Sequence, residues 1–465
     1  MSKRPTAEGL EPVDVLEPKV LPLQPRSIRS GLRFNIRGRS VNLRGMRRHP
    51  TGLLRWLAIL GPGLIATSAG NDAGGIATYS QAGAKFGYEL IWVMVILTFS
   101  FAVVQEMCAR LGAATGRGLL DLIRERFGIA WAIFAVGIIL VANGGITVSE
   151  FVGIGAAMEL LGVSKYIAVP VGAIMIWCLV IFGSYPKVEK IFLLMTLVFI
   201  AYPVAAILAR PDWGQVARGA FIPTFKSDPA YILLMVGLLG TTISPYIQVF
   251  QQSSLVETGV ARRHYGPEKI DAYVGAIFSN LMSISMIVAV AATLYVAGQH
   301  DIGTAADAAR ALEPVMGNAA TALFAVGLLG ATLLAGAVLP LATSYAVSEA
   351  FGAPKGVNLD FRRGKVFFSL FTSMIVVGVL LALIPGLPVI QLLVGVQVLN
   401  GVLLPIILVF LLLLINDKRL TGDLRNTRRN NLLGMGTLVL ITSAVVVMLG
   451  SQLLELLGIQ LLGGK

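Results

Sequence analysis

Two short polar interruptions stand out because they lie inside long apolar stretches with few other reactive groups. The first places Asn71 and Asp72 before Gly74 and Gly75. A carboxylate inside an apolar span is costly unless it faces protein or water, and the neighbouring glycines allow a helix to unwind and free its carbonyl groups. The pattern indicates a site for a small cation. A packed helix with a buried, hydrogen-bonded aspartate is the alternative.

The second interruption contains Thr241, Ser244 and Pro245. Pro245 lacks a backbone N–H and clashes with the preceding helical turn, so the helix must break or kink there. The two interruptions occupy the first spans of two consecutive five-span blocks. Matching breaks in two halves are typical of a secondary transporter built from inverted repeats, with its site between the broken helices. A simple proline kink remains open for the second interruption alone.

Further polar side chains lie in other apolar stretches. Asn143, Thr147 and Glu150 recur at helical spacing, so they share roughly one helix face. They form either an internal polar path or a cluster of helix-packing hydrogen bonds. Gln397 and Asn400 lie one turn apart in a later span, and one or both are expected to face the interior.

The composition requires elements that cross a membrane. Of the 465 residues, 56% are hydrophobic and 13% are charged, and long apolar runs separate short charged loops. The net charge of +12 is explained by these loops and predicts no nucleic-acid partner. Eleven apolar windows follow one another at 54–81, 89–107, 130–160, 167–185, 190–209, 230–256, 271–297, 317–350, 366–384, 387–415 and 432–452.

Charge sets the expected orientation and domain organisation. The N-terminal tail and the loops after even-numbered spans carry most of the 37 lysines and arginines, so the N-terminus is expected in the cytoplasm. Residues 1–50 are expected to form a basic, disordered tail, 51–452 a single transporter domain, and 453–465 a short tail. Within the domain, the repeats are predicted at 51–210 and 228–416, with an extra helix at 432–452.

These residues resemble the Nramp family of divalent-metal transporters over roughly residues 50–450. The resemblance is carried by the stretches Gly61–Gly63, Asp72–Gly75 and Ser244–Tyr246, and by Gln397. It implies an all-α membrane protein of about 11 transmembrane helices with a LeuT-type 5+5 inverted repeat, broken first and sixth helices, and alternating access. It also implies a metal site of Asp72, Gly75, Thr241, Ser244 and Gln397.

Departures from the family pattern point to a particular ion. Gly75 replaces the motif asparagine, and Ser244 replaces a methionine whose thioether suits transition metals. Both are small, so a wider pocket is expected. Mg²⁺ keeps several waters and needs one or two carboxylates, so the chain looks most like the Nramp-related magnesium transporter branch. Residues in an outer shell or ion path would be Asn71, Gly74, Pro245, Tyr246, Thr147 and Glu150.

The same departures bear on proton coupling. Tyr246 stands where proton-coupled members have a histidine, and Thr147 replaces one partner of an acidic pair that includes Glu150. Uncoupled transport of Mg²⁺, with Mn²⁺ as a further candidate ion, is therefore expected. The alternatives are a proton-coupled Mn²⁺/Fe²⁺ importer of the same family and a sodium-coupled organic-solute symporter.

Other properties follow as expectations. The chain lacks the His-Glu-x-x-His motif of a zinc protease and has no second intramembrane aspartate beside Asp72, so it is not expected to be an enzyme. No cofactor is expected besides the transported ion. The partners are the divalent ion and the lipid bilayer. The protein is expected to be a monomer with several passes through a bacterial-type plasma (inner) membrane.

Overall fold

The computed structural model describes residues 33–36, 39–42, 62–183, 185–259, 265–303, 307–308 and 320–456. The chain forms two units, Met1–Ala58 and Ile59–Lys465. In the first unit, β1 (Arg33–Ile36) and β2 (Arg39–Asn42) pair as antiparallel strands. These strands lie inside the segment 1–50, for which the sequence predicts disorder. The rest of that segment, and Gly61, lie outside the described residues.

The second unit is helical throughout its described part. Its first half contains α1 (Pro62–Ser68), α2 (Ala73–Phe86), α3 (Ile91–Thr115), α4 (Leu119–Phe127), α5 (Ile129–Leu160), α6 (Lys165–Ile181), α7 (Tyr185–Thr196), α8 (Ala201–Leu208) and α9 (Trp213–Phe221). Its second half contains α10 (Pro229–Thr242), α11 (Pro245–Glu257), α12 (Tyr265–Val290), α13 (Ala320–Phe351), α14 (Lys365–Ala382), α15 (Val389–Asn416), α16 (Lys418–Thr421) and α17 (Arg428–Leu456).

The helices match the predicted spans. Within the described residues, nine helical segments are long and apolar enough to cross a membrane, and α6 is a shorter apolar helix. The pair α1 and α2 occupies the first predicted span but is split into two short pieces. Together these elements agree with the expectation of about eleven spans. Side chains such as Phe99, Phe182 and Leu380 are 67%, 75% and 63% exposed, which suits an outer surface in contact with lipid.

The first predicted break is present between α1 and α2. Turn-like hydrogen bonds close α1, and Asp72 then adopts an extended conformation with ψ of 178° before α2 begins at Ala73. The Asp72 side chain accepts a hydrogen bond from the backbone of Gly75 and so caps α2. An aspartate at this position satisfies one of the free N–H groups at a helix start.

The second predicted break separates α10 from α11. Ser244 is extended, with ψ of 144°, and Pro245 is the first residue of α11. The residue before a proline is driven away from helical angles, whereas proline itself is well suited to the first helical turn. The short sequence Ser244-Pro245 therefore ends one helix and begins the next.

The broken helices are held among longer, continuous ones. The Asp271 carboxylate on α12 accepts hydrogen bonds from Gly63 and Leu64, which are the first free N–H groups of α1. On the other side, α5 and α13 pack along one another, and the Asn143 amide donates to the Thr343 hydroxyl across them. This frame brings α2, α5, α10, α11 and α15 together around the two breaks.

Candidate functional site

Asp72 is the centre of the polar site between the breaks. Its side chain is fully buried, and its Oδ1 accepts a hydrogen bond of 2.5 Å from the Gly75 N–H. The Gln397 Nε2 on α15 lies 2.8 Å from Oδ1 and 3.0 Å from Oδ2. The structure thus joins two residues that are 325 positions apart and that the family resemblance assigns to one metal site.

Gly74 makes this contact possible. A Cβ added at Gly74 would lie 2.3 Å from the Gln397 Nε2, far inside the distance that two such atoms tolerate. The absence of a side chain lets the amide of Gln397 reach the Asp72 carboxylate across the first turn of α2. The role of Gly74 is therefore to leave space for the side chain of Gln397. It also lies next to the unwound backbone at Asp72.

A second carboxylate approaches the same helix start. Glu150 on α5 is fully buried, and its Oε2 accepts a hydrogen bond of 3.2 Å from the Ala73 N–H. Its Oε1 accepts one from the Ser149 hydroxyl at 3.2 Å. Two buried carboxylates that share one helix start repel each other when both are charged, and a bound cation relieves that repulsion.

The break before α11 contributes hydroxyl and carbonyl groups. The Ser244 hydroxyl donates to the Gly240 carbonyl at 2.6 Å and lies 3.3 Å from the Thr241 carbonyl. The Asn400 Nδ2 donates to both the Gly240 carbonyl and the Ser244 hydroxyl, at 2.7 Å each. Asn400 therefore donates hydrogen bonds to the break between α10 and α11. Gln397, one turn earlier on α15, does the same at the break between α1 and α2.

The two breaks also touch each other directly. The Thr241 hydroxyl donates to the Gly70 carbonyl at 3.2 Å, and the Tyr246 hydroxyl donates to the Ala69 carbonyl at 2.7 Å. Tyr246 follows Pro245 in the first turn of α11, so its ring crosses to the end of α1. The carbonyl groups freed by unwinding are therefore engaged across the site in this conformation.

The space beside Gly75 is filled. A Cβ at Gly75 would lie 2.7 Å from the Thr241 Oγ1 and 3.0 Å from the Gly70 carbonyl oxygen. The wider pocket expected from the small residue at this position is therefore absent in this arrangement. The physical reason is that the Thr241 hydroxyl on α10 occupies the space where a side chain at Gly75 would lie.

Asn71 points away from Asp72. Its amide donates to the carbonyl and hydroxyl of Ser279 on α12, and its carbonyl accepts a hydrogen bond of 2.7 Å from the Ser283 hydroxyl. Sequence reasoning missed these two serines. The signal available was their spacing of four residues, which places two hydroxyls on one face of an apolar helix.

Thr147 lies one turn before Glu150 on α5 and is buried. Its hydroxyl has no hydrogen-bond partner among the described residues, and the same holds for the Gln397 Oε1 and the Asn400 Oδ1. Buried polar atoms are rarely left unpaired without a functional or solvent partner. The Gln397 Oε1, whose amide lies against the Asp72 carboxylate, is therefore an unused oxygen of the kind that hard divalent cations prefer.

Comparison with known proteins finds relatives along most of the chain. The chain is 31% identical over 408 residues to the divalent metal cation transporter MntH of Yersinia pestis (strain Pestoides F), covering 86% of this chain and 95% of that protein. Its fold is similar to that of a manganese transporter from Eremococcus coleocola, with a TM-score of 0.73, 18% identity and coverage of 88% and 90% of the two chains.

A more distant likeness is to MhsT in complex with L-phenylalanine, with a TM-score of 0.57, 15% identity and coverage of 87% of this chain and all of that one. These similarities confirm the predicted LeuT-type fold. The MntH relative is a transporter by name, not an enzyme, and a multi-pass membrane protein is consistent with the helices. The family described as natural resistance-associated macrophage protein-like matches residues 63–451. The chain therefore belongs to the Nramp family.

Proposed function

We propose that this protein carries divalent metal cations into the cytoplasm by alternating access, with partly hydrated Mg²⁺ as its main ion and Mn²⁺ as a further one. The observation that carries the proposal is the buried Asp72 carboxylate between two helix breaks, with Gln397 against it. The MntH relative is named for divalent metal cation transport, and the Eremococcus coleocola structure is of a manganese transporter.

The donor set supports Mg²⁺. Ser244 supplies an oxygen at the second break, and among the described residues no three His, Cys, Asp or Glu side chains come together as a metal-binding group. A site of one or two carboxylates with neutral oxygens suits an ion that keeps several of its waters. Oxygen sites also accept Mn²⁺, which is why we include it.

The side-chain amide of Gln397 could replace its hydrogen bond to Asp72 with a contact to the bound ion. It presents its Nε2 to Asp72, whereas its Oε1 is without a partner in the described part of the chain. Rotating the terminal amide of Gln397 by about 180° would exchange the positions of Nε2 and Oε1. Oε1 would then face an ion bound by Asp72. The amide would then donate a hydrogen bond to the carboxylate before the ion arrives, and bind the ion, or one of its waters, afterwards.

Uncoupled transport is the second part of the proposal. His49 and His264 lie outside the described residues, and His300 lies in a loop beside the Ala84 carbonyl, so none of the described helices around Asp72 carries a histidine. The membrane potential would supply the driving force, about 4.6 kcal/mol per 100 mV for a doubly charged ion.

A proton-coupled Mn²⁺/Fe²⁺ importer is the second candidate. The observation that favours it is Glu150, because its carboxylate and that of Asp72 meet at one helix start. A proton relieves repulsion between two buried carboxylates as a divalent cation does. A sodium-coupled organic-solute symporter is not favoured by the family to which the chain belongs.

Ion influx into proteoliposomes tests the proposal. We expect Mg²⁺ influx to be reported by a Mg²⁺-sensitive dye inside the vesicles and to be abolished by Asp72→Ala. Asp212→Ala is the matched control, because Asp212 is an exposed helix cap outside the spans. Parallel vesicles contain a Mn²⁺ indicator or a pH dye.

Flat internal pH during Mg²⁺ influx is the expected result. If Mn²⁺ enters together with protons and Mg²⁺ does not enter, the second candidate is correct and the argument from the oxygen donors is wrong. If neither ion enters, divalent-cation transport itself is refuted.

A further inference from the structure

Three buried glutamines near the second break have a property that the site around Asp72 does not explain. They are Gln105 on α3 and Gln248 and Gln251 on α11, and each is fully buried. The amide nitrogen and the amide oxygen of all three are without a hydrogen-bond partner among the described residues. Leaving so many polar atoms unpaired is strongly unfavourable, so these groups are expected to bind water, a hydrated ion or another polar partner.

Two contacts fix the direction in which α3 runs relative to the broken helix α10–α11. At one level, the Thr242 hydroxyl at the end of α10 lies 4.0 Å from the Met94 sulfur near the start of α3. At the other, a Cβ added to Gly112 near the end of α3 would lie 3.2 Å from the Gln252 Cγ on α11. α3 and the broken helix α10–α11 therefore run in the same direction between these two contacts.

The glutamines lie between the same two levels. Gln105 precedes Gly112 by seven residues, which returns it to the same face of α3 two turns earlier. Gln248 precedes Gln252 by four residues, which keeps it near the face of α11 that meets α3. The Cα atoms of Gln105 and Gln248 therefore lie on facing surfaces and differ by about 4–5 Å along the helices, a gap that two glutamine side chains and a water or hydrated ion can span.

The glutamines on α11 lie close to the second helix break. Gln248 lies one turn after Ser244, whose hydroxyl is part of the second break, and Gln251 lies nearly one turn further along α11. The direction is away from α10 and toward the end of α11 that charge distribution assigns to the cytoplasm. An ion that leaves Asp72 inward along α11 meets these amides next.

We propose that Gln105, Gln248 and Gln251 form a second, transient station for a partly hydrated divalent cation, about one turn of α11 inward from Ser244. The inference rests on the proposed function. Amide oxygens can accept hydrogen bonds from the ion's waters, and amide N–H groups can support further waters. Because amides are neutral, they hold the ion more weakly than Asp72 does, which lets it leave.

The test compares Gln105→Leu and Gln248→Leu with Gln391→Leu, which changes an exposed glutamine on α15. Mg²⁺ influx is measured in proteoliposomes, and Mg²⁺ binding to each purified variant is measured by isothermal titration calorimetry. We expect either of the first two substitutions to slow influx about tenfold, a barrier about 1.4 kcal/mol higher, with binding unchanged. In the double variant, the reduction in influx should be smaller than the product of the two single reductions, because either substitution disrupts the same station.

Several results would overturn the station. Influx at the wild-type rate in both leucine variants, while Asp72→Ala still abolishes it, refutes the station and leaves the proposed function intact. Loss of binding together with influx assigns the amides to the Asp72 site and also refutes a separate station. A wild type that moves neither Mg²⁺ nor Mn²⁺ refutes the proposed function and the station with it. Where a leucine variant does not fold, asparagine at the same position retracts the amide by one methylene and tests the same point.

Discussion

Gly74→Ala is the most specific test of how the ion site is built. The new Cβ would lie 2.3 Å from the Gln397 Nε2, 2.9 Å from its Cγ and 3.0 Å from its Cδ. The side chain of Gln397 must therefore withdraw from α2, and its hydrogen bonds to both oxygens of Asp72 are lost. The carboxylate keeps the N–H of Gly75 as a partner.

The expected magnitude follows from these contacts. In the ion-bound state the Gln397 Oε1 is proposed to bind the ion or one of its waters, and a polar contact to a charged group contributes about 1.5–3 kcal/mol. A loss of about 1.5–3 kcal/mol weakens Mg²⁺ binding by about 10-fold to 150-fold, since each 1.4 kcal/mol is a factor of ten. Alanine is otherwise a better helix former than glycine, so the effect on folding should be small.

Calorimetric Mg²⁺ titration of the purified variant measures the change, with influx into proteoliposomes as a second readout. Gly144→Ala is the matched control, because a Cβ at Gly144 in the middle of α5 would meet nothing within 4 Å. A double-mutant cycle with Gln397→Ala isolates the pair. In the Gln397→Ala background, Gly74→Ala should have little further effect.

Two results would refute this reasoning. Binding by Gly74→Ala equal to wild type would show that the amide of Gln397 does not support ion binding. A full additional loss from Gly74→Ala in the Gln397→Ala background would show that Gly74 acts through the backbone of α2 instead.

Further substitutions probe the frame around the site. Gly240→Ala should destabilise the protein by about 1–3 kcal/mol or more, because its Cβ would meet backbone atoms of α15 at 2.0 and 2.4 Å; Gly395→Ala, whose Cβ would meet nothing within 4 Å, is the control in thermal unfolding. Glu349→Ala should destabilise the protein by about 1–3 kcal/mol, because the first turn of α4 loses the buried carboxylate that accepts its hydrogen bond, whereas Lys355, 3.3 Å from Glu349, is partly exposed and keeps Asp121 as a partner. Glu125→Ala removes the exposed ion pair with Arg117 and should change the free energy of unfolding by only about 0–1 kcal/mol. An equal loss of stability in Glu349→Ala and Glu125→Ala would contradict the role of burial.

Much of the fold could be predicted from local pattern. Apolar windows and charge alternation determine the spans because the bilayer requires helices of a minimum length and satisfied backbone groups. Both breaks were also local, since Pro245 disfavours a helical residue before it and Asp72 prefers to cap a helix. These are properties of neighbouring residues, so the sequence contains them directly.

The partners of the site residues were less predictable. Asp72 and Gln397 were assigned to one site through a family resemblance, whereas no pattern indicated that Asn71 turns toward α12 or that the Tyr246 hydroxyl reaches the Ala69 carbonyl. Their contacts join residues about 180–210 positions apart. Such pairs depend on helix packing, which spacing within one helix does not specify.

The sequence by itself therefore determined a many-spanning membrane protein with two broken helices and a carboxylate at the first break. Only the tertiary structure decided what surrounds that carboxylate. The space that Gly75 leaves open in the sequence is occupied by the Thr241 hydroxyl, and the space at Gly74 admits Gln397. The physical reason is that a missing side chain creates room only relative to its neighbours, and those neighbours come from distant helices whose packing fills it.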